Sequence, residues 1–344
     1  MKEKILLDPA FRRMANIFSD EDLARIHAVA DVIWAQDEQM PTEQLEAIRE
    51  DIVAIITGNW RHGDVTRFPK LRAILEVGGG FPSPDSLDYA HCFVNNIYVL
   101  SCAPAFGPAV AEMALGLTLA CSRQIAWTDR AFRAGGSEPD NEPNWSHTEF
   151  ATEIGDTFTL FGRQVGFIGF GGLAQALRPL LEPFGCPIQV YDPWLTDTYL
   201  HRQGVEPVDL ETLLSTSRVI YVLAVPSSGN KAMLDREKLE LIREDAIFLL
   251  MSRAHVVDFD ALTDLLAQGR FRAGIDVFPK EPLELDHPIR KIHHAVLSSH
   301  RAGAMDDSIR NVGTLVADDI EAICQGLIPQ AMQMARPEFI RLRG

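Results

Sequence analysis

The chain is short of positive charge. Its 344 residues hold 32 Lys and Arg against 48 Asp and Glu, a formal net charge of −16. A phosphate backbone needs a basic surface, so this balance argues against nucleic acid as a partner. Cysteine is sparse as well. Cys92, Cys102, Cys121, Cys186 and Cys324 are scattered, with no C-x-x-C spacing. An odd, dispersed set suits buried thiols in a reducing compartment, and it offers neither a disulfide framework nor a metal cluster. No apolar run reads as the ~20 residues that a membrane helix needs. The opening Met-Lys-Glu-Lys-Ile-Leu-Leu-Asp reads as a first strand rather than a signal peptide. These absences lead to the expectation of a cytoplasmic protein that binds neither membrane nor nucleic acid. What is present is a globular composition, 47% apolar and 23% charged. The length exceeds one typical core, so two domains are expected.

Strand-like and helix-like runs alternate through most of the sequence. In the first hundred residues, strands are expected at Lys4–Leu7, Ile52–Thr57, Leu71–Val77 and Ile97–Leu100. Amphipathic helical stretches lie between them, among them Asp20–Trp34 and Thr42–Asp51, with Ser19 and Thr42 where N-caps belong. A second series has strands at Val165–Gly169, Ile188–Tyr191, Val219–Ala224, Ala246–Met251, Ala273–Val277 and Val296–Ser298. Such β-α-β alternation predicts an α/β protein whose parallel sheets carry helices on both faces. Pro108–Arg133 reads as one long apolar helix, and 134–156 as a loop or arm containing Trp145. Met305–Cys324 returns to helical spacing, and the economical arrangement sends it back to complete the first domain.

The densest signal is Gln164-Val-Gly-Phe-Ile-Gly-Phe-Gly-Gly-Leu-Ala174, an apolar strand running into a glycine turn and a helix. Gly169 and Gly171 permit a tight turn and close approach to a pyrophosphate. The helix that starts near Gly172 and Leu173 aims its free N–H groups at that anion, and Ala174 keeps the helix close to the strand. The next strand ends at Asp192, where a carboxylate can bond the adenosine ribose hydroxyls. The cofactor expected is NAD, since Pro193 and Trp194 bring no cation to offset a 2′-phosphate.

In a parallel sheet the C-terminal strand ends gather along one edge, where ligands bind. Arg253, Asp276, Glu281 and His300 follow the last three strands of the second series. Hydride transfer to a carbonyl needs a proton donor for the developing alkoxide and a cation for an anionic substrate, roles that histidine and arginine fill. A carboxylate beside a histidine favours its charged form.

The order of these motifs resembles the D-isomer-specific 2-hydroxyacid dehydrogenases over nearly the whole chain. The family's Ala-Glu helix is similar to Val110-Ala111-Glu112-Met113, its Gly-x-Gly-x-x-Gly turn to Gly169–Ala174, and its arginine motif to Ser252-Arg253. Its Asp-Val-Phe-x-x-Glu-Pro-Leu motif is Asp276–Leu283, and its His-x-x-Gly is His300–Gly303. The resemblance implies two doubly wound parallel-sheet domains. A flavodoxin-like substrate domain would span 1–107 and 304–344, and a Rossmann NAD-binding domain 108–303. It implies that Arg253 binds substrate, Glu281 pairs with the histidine, His300 is the acid/base, and Asp276 holds the nicotinamide carboxamide. Pro226 joins the cofactor contacts. The implied substrate is a small 2-keto or 2-hydroxy acid in the interdomain cleft, and the implied assembly a homodimer. Departures occur at Ser299, where the family often has Pro, at Ala254 and Ala174, where it often has Gly, and in the threonine-poor loop after Pro226.

Val77-Gly78-Gly79-Gly80 ends a first-domain strand. Its bare N–H groups could hold a substrate carboxylate, as the matching segment does in the family, or the run could be a flexible turn. Trp60 could line the same cleft or simply pack against the surface. Two rivals stay open: an NAD-sensing binding protein of corepressor type, and oxidation of another small anion such as formate or phosphite.

Overall fold

The computed structural model describes residues 2–9, 11–133, 157–225, 228–337 and 340. Contacts divide the chain into two compact units, Met1–Gly107 with Gly303–Gly344, and Pro108–Ala302.

The first unit holds β1 (Glu3–Asp8), β2 (Ala30–Trp34), β3 (Ile52–Thr57), β4 (Ala73–Glu76) and β5 (Tyr98–Ser101). The second holds β6 (Val165–Ile168), β7 (Ile188–Tyr191), β8 (Glu206–Pro207), β9 (Val219–Val222), β10 (Ile247–Leu250), β11 (Arg272–Ile275) and β12 (Ala295–Leu297). A last strand, β13 (Gln333–Met334), returns to the first unit and pairs antiparallel with β5. The sheet orders are β13-β5-β4-β3-β1-β2 and β12-β11-β10-β9-β6-β7-β8. The first is the flavodoxin-like winding with an added antiparallel edge. The second is the dinucleotide-binding winding with one more strand.

Alternation decides which face each strand residue covers. Ile5 and Leu7 of β1 enter one core cluster with Ile56 and Leu75. Leu6 enters another, with Ile55 and Ile74. Both faces of this sheet are therefore buried, which is why its strands are apolar throughout. The helix Asp306–Cys324 contributes Val312, Val316 and Ile320 to the first cluster, so the C-terminal helix completes the first unit.

Two elements differ from the sequence expectation. The stretch Asp20–Trp34 is a helix only to Val29 and then becomes β2. Its helical half is secured by a capping box between Ser19 and Asp22. The β-branched and aromatic residues of Val32-Ile33-Trp34 suit a strand, and β2 pairs parallel with β1 from Glu3↔Ala30 to Leu7↔Trp34. The long apolar helix is two, Gly107–Ser122 and Ile125–Arg133, with Gln124 in the left-handed region at φ 54°. The Cys121 carbonyl, near the end of the first helix, accepts the Arg272 guanidinium at 2.9 Å and the Gln124 N–H at 3.3 Å.

That first helix also corrects the reading on hydrophobic runs. Ala103–Ser122 is long and apolar enough to cross a membrane, and half of it is buried within the protein. Thr118 bonds the Tyr221 hydroxyl at 2.6 Å, and Ala114, Thr118 and Cys121 are fully buried. It is a core helix. The arm 134–156 and its Trp145 lie outside the described residues.

Candidate active site

All strands of the second unit run parallel, so their C-terminal ends share an edge. Within that edge β6, between β9 and β7, leads into the glycine turn. Gly169 has φ 92°, and a Cβ there would sit 2.7 Å from the Ala224 backbone. Only glycine fits both demands. Gly171 is the N-cap of the helix Gly172–Leu181 and supplies no side-chain cap. A Cβ on Gly171 or Gly172 would meet nothing within 4 Å, so there is open space beside the N-terminus of the helix. This is the cradle a pyrophosphate requires. Leu173 lies in the first turn of that helix, and Ala174 is buried beneath it. Asp192, just past β7, accepts the Phe170 N–H at 2.8 Å on one oxygen and the Trp194 N–H at 3.0 Å on the other. Its carboxylate thus locks the turn and keeps lone pairs for ribose hydroxyls. Pro226 lies outside the described residues.

At one end, β10, β11 and β12 are neighbours. They carry Arg253, Asp276 and His300 just past their ends, which brings three distant segments together. Asp276 is buried and accepts the N–H groups of Arg301 at 2.9 Å and Ala302 at 3.2 Å. Its own carbonyl accepts the His300 N–H at 2.8 Å. These three bonds hold the histidine turn, in which His300 has φ 53°. A left-handed backbone is uncommon for a residue other than glycine and persists where the surroundings enforce it.

His300 Nδ1 lies 2.6 Å from Glu281 Oε2, while Glu281 Oε1 accepts the Phe278 N–H at 3.0 Å. The glutamate is therefore fixed at both oxygens, and the imidazole is left with Nε2 for chemistry. Partial burial pushes the Glu281 carboxyl up. Its bond to His300, the Phe278 N–H, and the charges of His300 and Arg253 outweigh that and hold it below the usual carboxylate range. It is ionised throughout the neutral range. Arg253 has an extended backbone and donates from Nη1 to the Ser252 carbonyl at 2.8 Å. Ser252 Oγ is buried and has no hydrogen-bond partner among the described residues. A buried hydroxyl without a partner costs ~1–3 kcal/mol, so this atom fits a group supplied by cofactor or substrate. With the glycine cradle and Asp192, the donor and acceptor set fits a dinucleotide.

The first unit has its own polar edge. Trp60 is 4% exposed, packs edge-on to His62 and Phe68, and donates its indole N–H to the Gly63 carbonyl at 2.7 Å. It is a core aromatic with its polar atom already satisfied. Burial, then the Arg61 charge, pull His62 down to about 4, so this second strand-end histidine is neutral at pH 7. Val77 is fully buried and ends in the glycine run. The N–H groups of Gly78, Gly79 and Gly80 do not point at open space. All three donate to the Glu76 carboxylate, at 2.7, 3.0 and 3.0 Å. Arg12 donates to the Val77 and Gly78 carbonyls at 2.6 and 3.3 Å. Sequence reasoning passed over both residues. The available signal was a glutamate two residues ahead of three consecutive glycines.

Comparison with known proteins decides the family. The profile described as D-isomer specific 2-hydroxyacid dehydrogenase, NAD binding domain, matches residues 115–302. The chain belongs to the D-isomer specific 2-hydroxyacid dehydrogenase family. It is an NAD-dependent oxidoreductase of that family. A glyoxylate reductase of Thermococcus litoralis is 31% identical over 288 residues, covering 83% of this chain and 84% of its own. A D-3-phosphoglycerate dehydrogenase of Methanocaldococcus jannaschii is 27% identical over 83% of this chain, but only 52% of that longer protein is covered. Among solved structures, a phosphoglycerate oxidoreductase from Rhizobium etli superposes with a TM-score of 0.83 at 33% identity, covering 99% of this dehydrogenase and 100% of that chain.

Proposed function

We propose that this dehydrogenase interconverts a small 2-keto acid and the corresponding D-2-hydroxy acid, with NAD(H) preferred over NADP(H). The observation that carries the reading is the Glu281–His300 contact of 2.6 Å, with Glu281 also feeling the charge of Arg253. A histidine held at Nδ1 by an ionised carboxylate presents Nε2 as a positioned proton donor. Arg253 supplies a guanidinium for the substrate carboxylate and carbonyl. Bound NADH supplies the hydride. During reduction His300 delivers its proton to the carbonyl oxygen as charge builds there, and the Glu281 carboxylate stabilises the imidazolium beforehand. In oxidation neutral His300 takes the hydroxyl proton. Asp276 orients the histidine by holding its turn.

A spectrophotometric screen tests this. NADH oxidation should occur with at least one of glyoxylate, hydroxypyruvate, pyruvate or a bulkier 2-keto acid, and kcat/KM should be higher with NADH than with NADPH. Asp192→Ser should narrow that preference by about ten- to a hundredfold, the worth of one or two charged hydrogen bonds and the lost repulsion of a 2′-phosphate. No turnover with any of these acids would sink the reaction. Equal kcat/KM for the two cofactors in the unaltered protein would sink the role of Asp192.

A further inference from the structure

The glycine run after β4 is built around a carboxylate that the chain itself supplies. Glu76 is 5% exposed. Its Oε1 accepts the Gly78 N–H, and its Oε2 accepts those of Gly79 and Gly80. Three consecutive N–H groups converging on one anion form a nest. The fit is close: a Cβ on Gly78 would lie 2.3 Å from Glu76 Oε1, so a side chain there would expel the carboxylate. The carbonyl side of the same loop is held by Arg12. Its guanidinium carbon lies 5.3 Å from the Phe11 ring centroid and 5.6 Å from that of Phe106. The loop is thus tied on both sides by its own unit. Burial pushes Glu76 up to about 7, against the pull of the three N–H groups and Arg12.

Each backbone N–H carries one proton. An incoming substrate carboxylate therefore cannot use these donors while Glu76 does. We propose that Glu76 is a specificity-determining residue: its carboxylate occupies the Gly78–Gly80 nest as an internal competitor and weakens binding of a carboxylate substrate at that loop. This rests on the proposed 2-keto-acid reaction and on the expectation, drawn from the family resemblance, that the substrate carboxylate meets the glycine run as well as Arg253. The chain would accordingly bind its keto acid loosely for a nest of this geometry. Removing the resident carboxylate would tighten binding, where a purely structural carboxylate would do the opposite.

Glu76→Ala and Glu76→Gln separate the two. The probes are oxamate, a carboxylate that cannot be reduced at its carbonyl by hydride, and acetate. Both are titrated calorimetrically into the NADH-loaded protein, with keto-acid kinetics alongside. Glu76→Ala should bind oxamate about tenfold more tightly, the equivalent of one charge-assisted hydrogen bond, and KM should fall while kcat moves little. Acetate should compete with the keto acid more strongly in Glu76→Ala than in the unaltered protein. Glu76→Gln, whose amide NH2 cannot accept an N–H, should show a smaller change in the same direction. It decides the matter if the alanine variant does not fold. Unchanged or weaker oxamate binding, or acetate that restores activity to Glu76→Ala instead of inhibiting it, would overturn the proposal and make Glu76 a scaffold. Binding needs no turnover, so the two readings fail separately. Tighter oxamate binding without any keto-acid turnover would reject the reaction alone. Turnover with unaltered oxamate affinity would reject the nest alone.

Discussion

His300→Gln should lower kcat/KM for keto-acid reduction by about 10²- to 10⁴-fold, the usual worth of a positioned acid/base. It should also erase the pH limb that the histidine provides. Glu281→Gln should act differently. Its carboxyl sits below the usual carboxylate range because His300, the Phe278 N–H and Arg253 outweigh the cost of burial. The glutamate is therefore anionic across the working range. Reduction needs a proton on the Glu281–His300 pair, so its rate falls as pH rises through the pair's apparent pKa. The amide takes away the charge that holds this proton. The falling limb of reduction should move to lower pH, and the rising limb of oxidation should move the same way. The side chains of His300 and Glu281 are 40% and 36% exposed, so water screens the pair and the shift should be about one pH unit at most. One unit corresponds to ~1.4 kcal/mol. The profile is read as kcat/KM in both directions, with a deuterated cofactor confirming that chemistry limits the rate. Limbs that stay in place in Glu281→Gln would show that the carboxylate does not control the proton.

The second large effect is expected at Arg253. Its guanidinium has a planar fork that can grip a carboxylate and a carbonyl oxygen together, whereas lysine offers a point charge on a shorter reach. Arg253→Lys should raise KM for the keto acid by about ten- to a hundredfold and lower kcat, as expected for losing a charged, two-point hydrogen bond. NADH affinity, measured by fluorescence titration, should stay near that of the unaltered protein. Keto-acid kinetics that do not change would leave Arg253 with only its bond to the Ser252 carbonyl, a local structural role.

The sequence was most legible where the determining contacts are short in range or carried by motif. The glycine turn and Asp192 lie within one β-α-β unit, and the Phe170–Asp192 bond spans 22 residues. Alternation of strand and helix made both sheets readable, because parallel strands buried on two faces are apolar along their whole length. β2 escaped because the helical period of Asp20–Val29 runs into it without a glycine or proline to mark the change. The break after Ser122 escaped because Arg272, about 150 residues away in sequence, helps to secure it. Glu76 and Arg12 escaped for a related reason. The clasp on the Val77 carbonyl spans 65 residues, and a glutamate at a strand end ordinarily reads as a solvated charge. Trp60 shows the converse: aromatic character invites a ligand role, and only the packing shows that its N–H is already satisfied by Gly63.

The left-handed backbone at His300 has an evolutionary consequence. The turn is held by three main-chain N–H bonds to Asp276, and the imidazole adds only its own contact with Glu281. The histidine therefore contributes chemistry to a conformation fixed chiefly by Asp276 and uncommon for residues that carry a Cβ. Asparagine, whose short polar side chain can bond locally, enters this region as a single residue. His300→Asn should lose the acid/base while melting, by calorimetry, at or above the temperature of the unaltered protein and binding NADH as before. Melting several degrees lower would show that the imidazole does help to hold the turn. Stability and turnover thus pull in opposite directions at one position. A lineage released from selection for turnover would drift downhill there, and one substitution would leave a sturdy reader of the nicotinamide pool where a catalyst had been.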